Sequence, residues 1–209
     1  MKNTFYAILL AAGFSSRFGN RNKLLEPFRG KPLARHTLDL VCDMNQCGAG
    51  CFEKIFLVYA DDDVAALAKG LPVSLIRNNS PEKGQAESVR LGVEAAEKLD
   101  CAYYIFFPCD QPLLDAGTVG LLLNAAKPGR IVEPVGDINR ADSRGNPCVF
   151  SAVFRDELLA LKPGEHPRLL KSRHLEAVIK VQVNNPVVLA DIDTREDAEL
   201  LNFTGSDLL

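Results

Sequence analysis

Seven short apolar runs, none longer than seven residues, recur along the chain with amphipathic segments between them. They span Phe5 to Leu10, Lys54 to Ala60, Val73 to Arg77, Ala102 to Pro108, Arg130 to Pro134, Pro147 to Ser151 and Val178 to Val183. Each is bounded by turn residues and has the length of a strand. Because the runs are nearly continuous rather than alternating, both faces of the strands must be covered, the pattern of a mostly parallel sheet between helices. Helices are expected in the intervals. From Gln85 to Leu99, Ala86, Val89, Val93 and Ala96 fall on one stripe at helical spacing. Pro32 suits the first turn of a helix reaching about Met44. Asp115, Ser151 and Thr194 are candidate N-caps, and Thr194-Arg195-Glu196-Asp197 puts an acid three residues after the cap, close to a capping box. The expectation is a single α/β sandwich over residues 1–209, since no repeat, low-complexity tract or linker divides the chain.

The opening apolar run is too short for a signal-peptide core or a membrane span, so a cytoplasmic protein is expected. A net charge of −3 argues against a general nucleic-acid binder. The charge is uneven, however: from Arg17 to Arg35 there are six Lys or Arg residues against one acid, Glu26. A cationic patch on an acidic protein suggests a small anionic ligand. Six cysteines are read as reduced thiols. Cys42, Cys47 and Cys51 lack the paired C-x2-C units of zinc sites, and a loop role accounts for them. The polar stretch Gly136 to Asn146 is expected to be a long mobile loop.

In open parallel sheets, ligands lie beyond the carboxyl ends of the strands. After the first strand, at Leu10, come Ala11, Ala12 and Gly13, small enough for a ligand to lie on the backbone, and then the cationic loop. Backbone N–H groups there would cradle an anion, with Arg17 and Lys23 adding charge-assisted bonds to phosphate oxygens. Neither G-x-x-x-x-G-K-[ST] nor G-x-G-x-x-G is present. A plain solvated loop remains the alternative. After the fourth strand, Asp110 sits between Pro108 and Pro112, placed to bind Mg²⁺, which takes one or two protein carboxylates beside phosphate oxygens. Asp191 and Asp193 would face the same side of an extended segment. Taken singly, Asp110 also reads as a turn cap, and Asp193 as an acid beside a helix start.

"LLAAGFSSRFG" followed by Lys23-Leu24-Leu25 resembles the opening signature of the molybdenum cofactor cytidylyltransferase family, MobA-like nucleotidyltransferases. "NSPEKGQAESVRLG" (Asn79 to Gly92), "CDQP", "GNPCVF" and "DIDTRED" resemble further segments of that family, in the same order and over nearly the whole chain. Asn146, Gln85, Cys109 and Arg195 depart from the residues usual there. The resemblance implies a Rossmann-like sheet of the nucleotide-diphospho-sugar transferase type. It implies transfer of CMP from CTP to the phosphate of the molybdenum-molybdopterin cofactor, with release of pyrophosphate. Arg17 and Lys23 would hold the triphosphate, and Asp110 and Asp193 a Mg²⁺ ion, with Asp191 the competing second ligand. Gly13 and Gly84 would let the nucleotide approach the backbone, while Asn79 and Ser88 would bond ribose or base. Asn146 and Gln85 would be the positions touching acceptor or base. A molybdenum hydroxylase would receive the product.

A phosphate monoester has a second pKa near 6 and needs no general base, so His36, His166 and His174 are assigned to surface or packing roles. Two other readings stay open: the same chemistry with GTP or a sugar or alditol phosphate, and a non-catalytic cofactor chaperone for molybdenum hydroxylases.

Overall fold

The computed structural model describes residues 4–13, 22–46, 50–97, 101–140 and 145–204. In chain order it runs β1 (Phe5–Ala11), β2 (Pro27–Phe28), β3 (Lys31–Pro32), α1 (Leu33–Gln46), β4 (Lys54–Tyr59), α2 (Asp62–Ala66), β5 (Ser74–Arg77), α3 (Gln85–Glu97) and β6 (Tyr103–Pro108). There follow α4 (Ala116–Ala125), β7 (Ile131–Val135), β8 (Cys148–Ser151), α5 (Arg155–Leu159), α6 (Arg168–Arg173), β9 (Val178–Gln182) and α7 (Arg195–Thr204). Each of the seven apolar runs forms a strand of one sheet, ordered β5-β4-β1-β6-β8-β7-β9. Within it β1 is parallel to β4 and β6, β4 to β5 and β7 to β9, while β8 alone runs antiparallel, between β6 and β7.

The alternation of side chains along the strands divides the core in two. Phe5, Ala7, Leu9 and Ala11 of β1 pack on one face with α1, α4 and Leu201 of α7. Tyr6 and Ile8 face the opposite layer, where α3, α5 and α6 contribute Val89, Val93, Leu158 and Leu170. The sheet is therefore covered on both sides, as its apolar strands require. Contact between α3 and β1 is close enough to need glycine: a Cβ on Gly92 would lie 2.4 Å from Ile8 Cγ2.

Two of the three expected caps form. The Asp115 side chain accepts from Thr118 N–H at 2.6 Å. At α7, Thr194 Oγ1 accepts from Asp197 N–H at 3.1 Å and Asp197 Oδ2 accepts from Thr194 N–H at 2.8 Å, the reciprocal pair of a capping box. Ser151 does not cap: it ends β8, a 3-10 turn intervenes before α5, and its hydroxyl instead accepts from Gly129 N–H at 3.1 Å. Pro32 precedes α1 rather than entering its first turn, because Lys31–Pro32 pairs with Pro27–Phe28 and the helix starts at Leu33. Among the described residues, no helix is long and apolar enough to cross a membrane.

Candidate active site

The carboxyl ends of β1 and β6, adjacent and parallel, hold the first two elements of the site. Beyond β1, Ala11 and Ala12 are buried and Gly13 is exposed, with nothing among the described residues within 4 Å of the place a Cβ would take. The chain returns at a 3-10 turn, Lys23–Leu25, whose start is fixed by Asn22: its Oδ1 accepts from Leu24 N–H at 3.1 Å, and its amide donates to Asp61 Oδ2 at 3.0 Å. Leu24, 4% exposed, anchors the turn in the core. Lys23 is thereby aimed across the strand ends.

Its ammonium donates to Asp110 Oδ2 at 2.8 Å, to Asp193 Oδ1 at 2.8 Å and to the Ile192 carbonyl at 3.1 Å. Asp110 follows β6, and Ile192 N–H donates to the Asp110 carbonyl at 2.9 Å, tying the segment before α7 to the end of that strand. Asp193 is oriented by the α7 capping box, since its own N–H donates to Asp197 Oδ2 at 3.0 Å. Burial alone would lower the Lys23 pKa; the Asp110 charge and the bonds to Asp110 and Asp193 outweigh it and raise it. Lys23 therefore stays charged at neutral pH and acts as a fixed cation, not as a proton acceptor. Asp191 keeps an exposed edge, yet loss of surrounding water and then repulsion from Asp110 push its carboxyl up to about 6. Two carboxylates thus share one lysine, with Asp191 crowded beside them.

Asp110 Oδ1 is buried and has no hydrogen-bond partner among the described residues. A buried carboxylate oxygen left this way costs free energy unless something supplies positive charge. Among the described residues, no group of three or more His, Cys, Asp or Glu is arranged to hold a metal. A hard cation that takes one or two carboxylates and fills its remaining positions with water and phosphate oxygens fits this donor set.

On the other face of the sheet a cavity of about 370 Å³ opens beside the same strand ends. Leu10, Phe106, Pro108 and Phe150 supply its apolar wall, and Gln85, Asn146, His166, Arg168 and Lys171 its polar one. Lys171 pairs with Glu133 at 2.6 Å; their side chains are 8% and 1% exposed. It also donates to Cys148 Sγ at 3.4 Å. Within the lining, His166 Nδ1 lies 2.9 Å from Gln85 Oε1, and next to these residues in sequence Gly164 N–H donates to the Lys83 carbonyl at 2.9 Å.

The structure brings Lys23, Asp110, Asp191 and Asp193 together, and sets Leu10 and Asn146 on the cavity. Gly84 has φ +78°, and the backbone close to it is that of Gly164, 3.6 Å from the place a Cβ would take. Asn79 is exposed, whereas Ser88 is buried, its hydroxyl accepting from the Asn78 amide at 3.0 Å. Arg17 lies outside the described residues, as do Cys47 and residues 141–144 of the polar loop. Cys42 is buried and Cys51 half-buried, both free thiols. His36 packs against Phe28 and bonds its carbonyl at 2.8 Å, and His174 pairs with Glu157. The sequence reading missed the cavity's His166, Arg168 and Lys171. The available signal was Glu133, an acid inside the otherwise apolar strand "IVEPV".

A sheet covered on both faces that gathers a lysine and carboxylates beyond its strand ends, beside an open cavity, defines a three-layer α/β protein with its site at the carboxyl edge of the sheet. Residues 7–180 match the MobA-like NTP transferase domain, and the chain belongs to that family of nucleotidyltransferases. It is 30% identical to nicotine blue oxidoreductase of Paenarthrobacter nicotinovorans over 162 residues, 76% of each chain. Molybdenum cofactor guanylyltransferase of Ralstonia pickettii is 27% identical over 206 residues, 93% of this chain and 94% of that one. A nucleotidyl transferase from Methanothermobacter thermautotroptrophicus shares the fold with a TM-score of 0.82 at 20% identity, covering 97% of both chains.

Proposed function

We propose that the protein transfers a nucleotidyl group, CMP from CTP, to the phosphate of the molybdenum-molybdopterin cofactor and releases pyrophosphate. The observation that carries this reading is the Lys23 ammonium bridging Asp110 and Asp193 at 2.8 Å each, with Asp110 Oδ1 buried and unpartnered among the described residues. The acceptor phosphate is ionised near neutral pH, so no side chain has to take its proton. What the site must do is bring two anions together and neutralise charge on the leaving pyrophosphate. Lys23 does this by exchanging its carboxylate partners for triphosphate oxygens, with Arg17 as its proposed companion from the opening loop. Asp110 and Asp193, released from Lys23, would hold Mg²⁺, which supplies charge neutralisation at the phosphates. Gly13, with no described residue within 4 Å of the place a Cβ would take, would let the nucleotide approach the β1 backbone.

The choice of CTP rests on the likeness of "LLAAGFSSRFG", "CDQP" and "DIDTRED" to the cytidylyltransferase segments. A second reading substitutes GTP, favoured by the guanylyltransferase relative of nearly equal length. Pyrophosphate release is to be measured with each of four NTPs, Mg²⁺ and molybdopterin. Release with CTP alone is expected; release with GTP alone replaces the first reading by the second. No release with any NTP, or full turnover by Asp110→Ala, removes the proposed chemistry.

A further inference from the structure

The cavity on the α3–α6 side carries charge that the transfer step does not use. Lys171 and Glu133 form an ion pair almost wholly removed from water, a costly arrangement that well-packed apolar residues of similar volume would often replace without loss of stability. Cys148, also buried, is the second contact of that ammonium. Lys171 itself lines the cavity. Arg168, exposed at the same wall, makes no ion pair among the described residues. One acid thus faces two cations, and the cavity presents net positive charge to its contents.

This charge is not placed to serve the reacting phosphate. Cys148 lies opposite Phe106 in the β6–β8 ladder, and Asp110 follows Phe106 by four residues. At about 3.3 Å per extended residue, Cys148, which the Lys171 ammonium contacts, and Asp110 stand on the order of 10 Å apart along the sheet. They also belong to opposite layers: Cys148 packs in the core with α3 and α6, Ile192 in the core with α1 and α4. Any phosphate beside Lys23 is beyond the reach of an ammonium held by Glu133 and Cys148. From this separation we infer that the cavity is the acceptor subsite, and that Arg168 and the Glu133-held Lys171 select acceptors bearing a second anionic group, remote from the phosphate that reacts. The inference rests on the proposed nucleotidyl transfer for its assignment of the two ends. Leu10, Phe106 and Phe150 form the apolar surface against which a flat ring between the anionic ends would lie. Glu133 is a positioning residue: it fixes Lys171 and touches no ligand.

The test is equilibrium binding, without nucleotide, of molybdopterin and of its dephosphorylated form, which lacks the reacting group but keeps the dithiolene anion. Three proteins are compared: wild type, Arg168→Gln at an exposed position, and the Lys171→Met, Glu133→Gln double variant, which leaves no unpaired buried charge. Both variants are expected to bind the dephosphorylated molecule at least tenfold more weakly, with the CTP or GTP dissociation constant unchanged. Wild-type affinity in both variants overturns the inference, as does an equal loss of nucleotide and acceptor binding. Pyrophosphate release by the same preparations separates the two ideas. Turnover with unaltered acceptor binding in the variants leaves the transfer chemistry and removes the subsite; weakened binding without turnover in wild type does the reverse.

Discussion

Replacing Lys23 by Met isolates what the lysine does for the fold from what it does for a ligand. Its ammonium makes two contacts to carboxylates and one to a carbonyl. Hydrogen bonds to charged groups contribute about 1.5–3 kcal/mol each when sheltered from solvent. The Asp110 side chain is 22% exposed and qualifies; that of Asp193 is 49% exposed, and its share falls to between about 0 and 1 kcal/mol. The loss for Lys23→Met is therefore about 1.5–4 kcal/mol, or roughly 3–16 °C in Tm for a chain of this size. Asp110→Asn should destabilise less, because it breaks the same contact but removes one of the crowded carboxylates. The double variant should lose little beyond Lys23→Met, a coupling of about 1–2 kcal/mol in a denaturant double-mutant cycle. Magnesium should then raise the Tm of Lys23→Met more than that of wild type, because Asp110 and Asp193 no longer have the lysine as competitor; binding at a hundred times Kd would restore about 2.7 kcal/mol. Additive single-variant losses would show that Lys23 and Asp110 are not coupled in this way. Identical magnesium responses, unaffected by chelator, would remove the carboxylates as a cation site.

Two further outcomes probe the scaffold. Gly92→Ala places a Cβ 2.4 Å from Ile8 Cγ2, so overpacking should cost about 1–3 kcal/mol against the gain of under about 1 kcal/mol in helix propensity; a lowered Tm whose loss shrinks in an Ile8→Ala background, where Cγ2 is gone, checks the contact, and an unchanged Tm refutes it. For Asp39, burial raises the carboxyl pKa but bonds from Lys31 and Arg35 outweigh it, so the folded-state value lies below the ordinary one. Stability from a depressed carboxylate is present above the unfolded-state pKa and disappears as pH falls through the folded-state value. Asp39→Asn should accordingly cost about 0.5–1 kcal/mol at pH 7, with the gap to wild type closing below about pH 4; a pH-independent gap in melting curves contradicts this.

The seven strands and the stripe of α3 are legible because each depends on neighbours a few residues apart. Ala86, Val89, Val93 and Ala96 share a helix face whatever surrounds them, and all four are buried as that spacing demands. The Thr194–Asp197 capping box is equally local, spanning three residues. Ser151 departs from its expected role for the complementary reason: a cap is read from local residues, but Gly129 N–H, 22 residues away, competes for the hydroxyl. Asn78, the neighbour of the residue singled out, is the one that meets Ser88, because the turn after β5 buries Asn78 and leaves Asn79 outside.

By itself, then, the sequence determined the class of fold and named Lys23, Asp110 and Asp193 as residues of interest, since apolar periodicity, strand-end position and residue chemistry are properties of short segments. Only the tertiary structure decided that one ammonium joins carboxylates 87 and 170 residues from it. It alone set Glu133 against Lys171 on a cavity wall behind the same strand ends. Strand order and layer assignment govern those meetings, and they follow from how whole faces pack against one another, a choice no local window of residues contains.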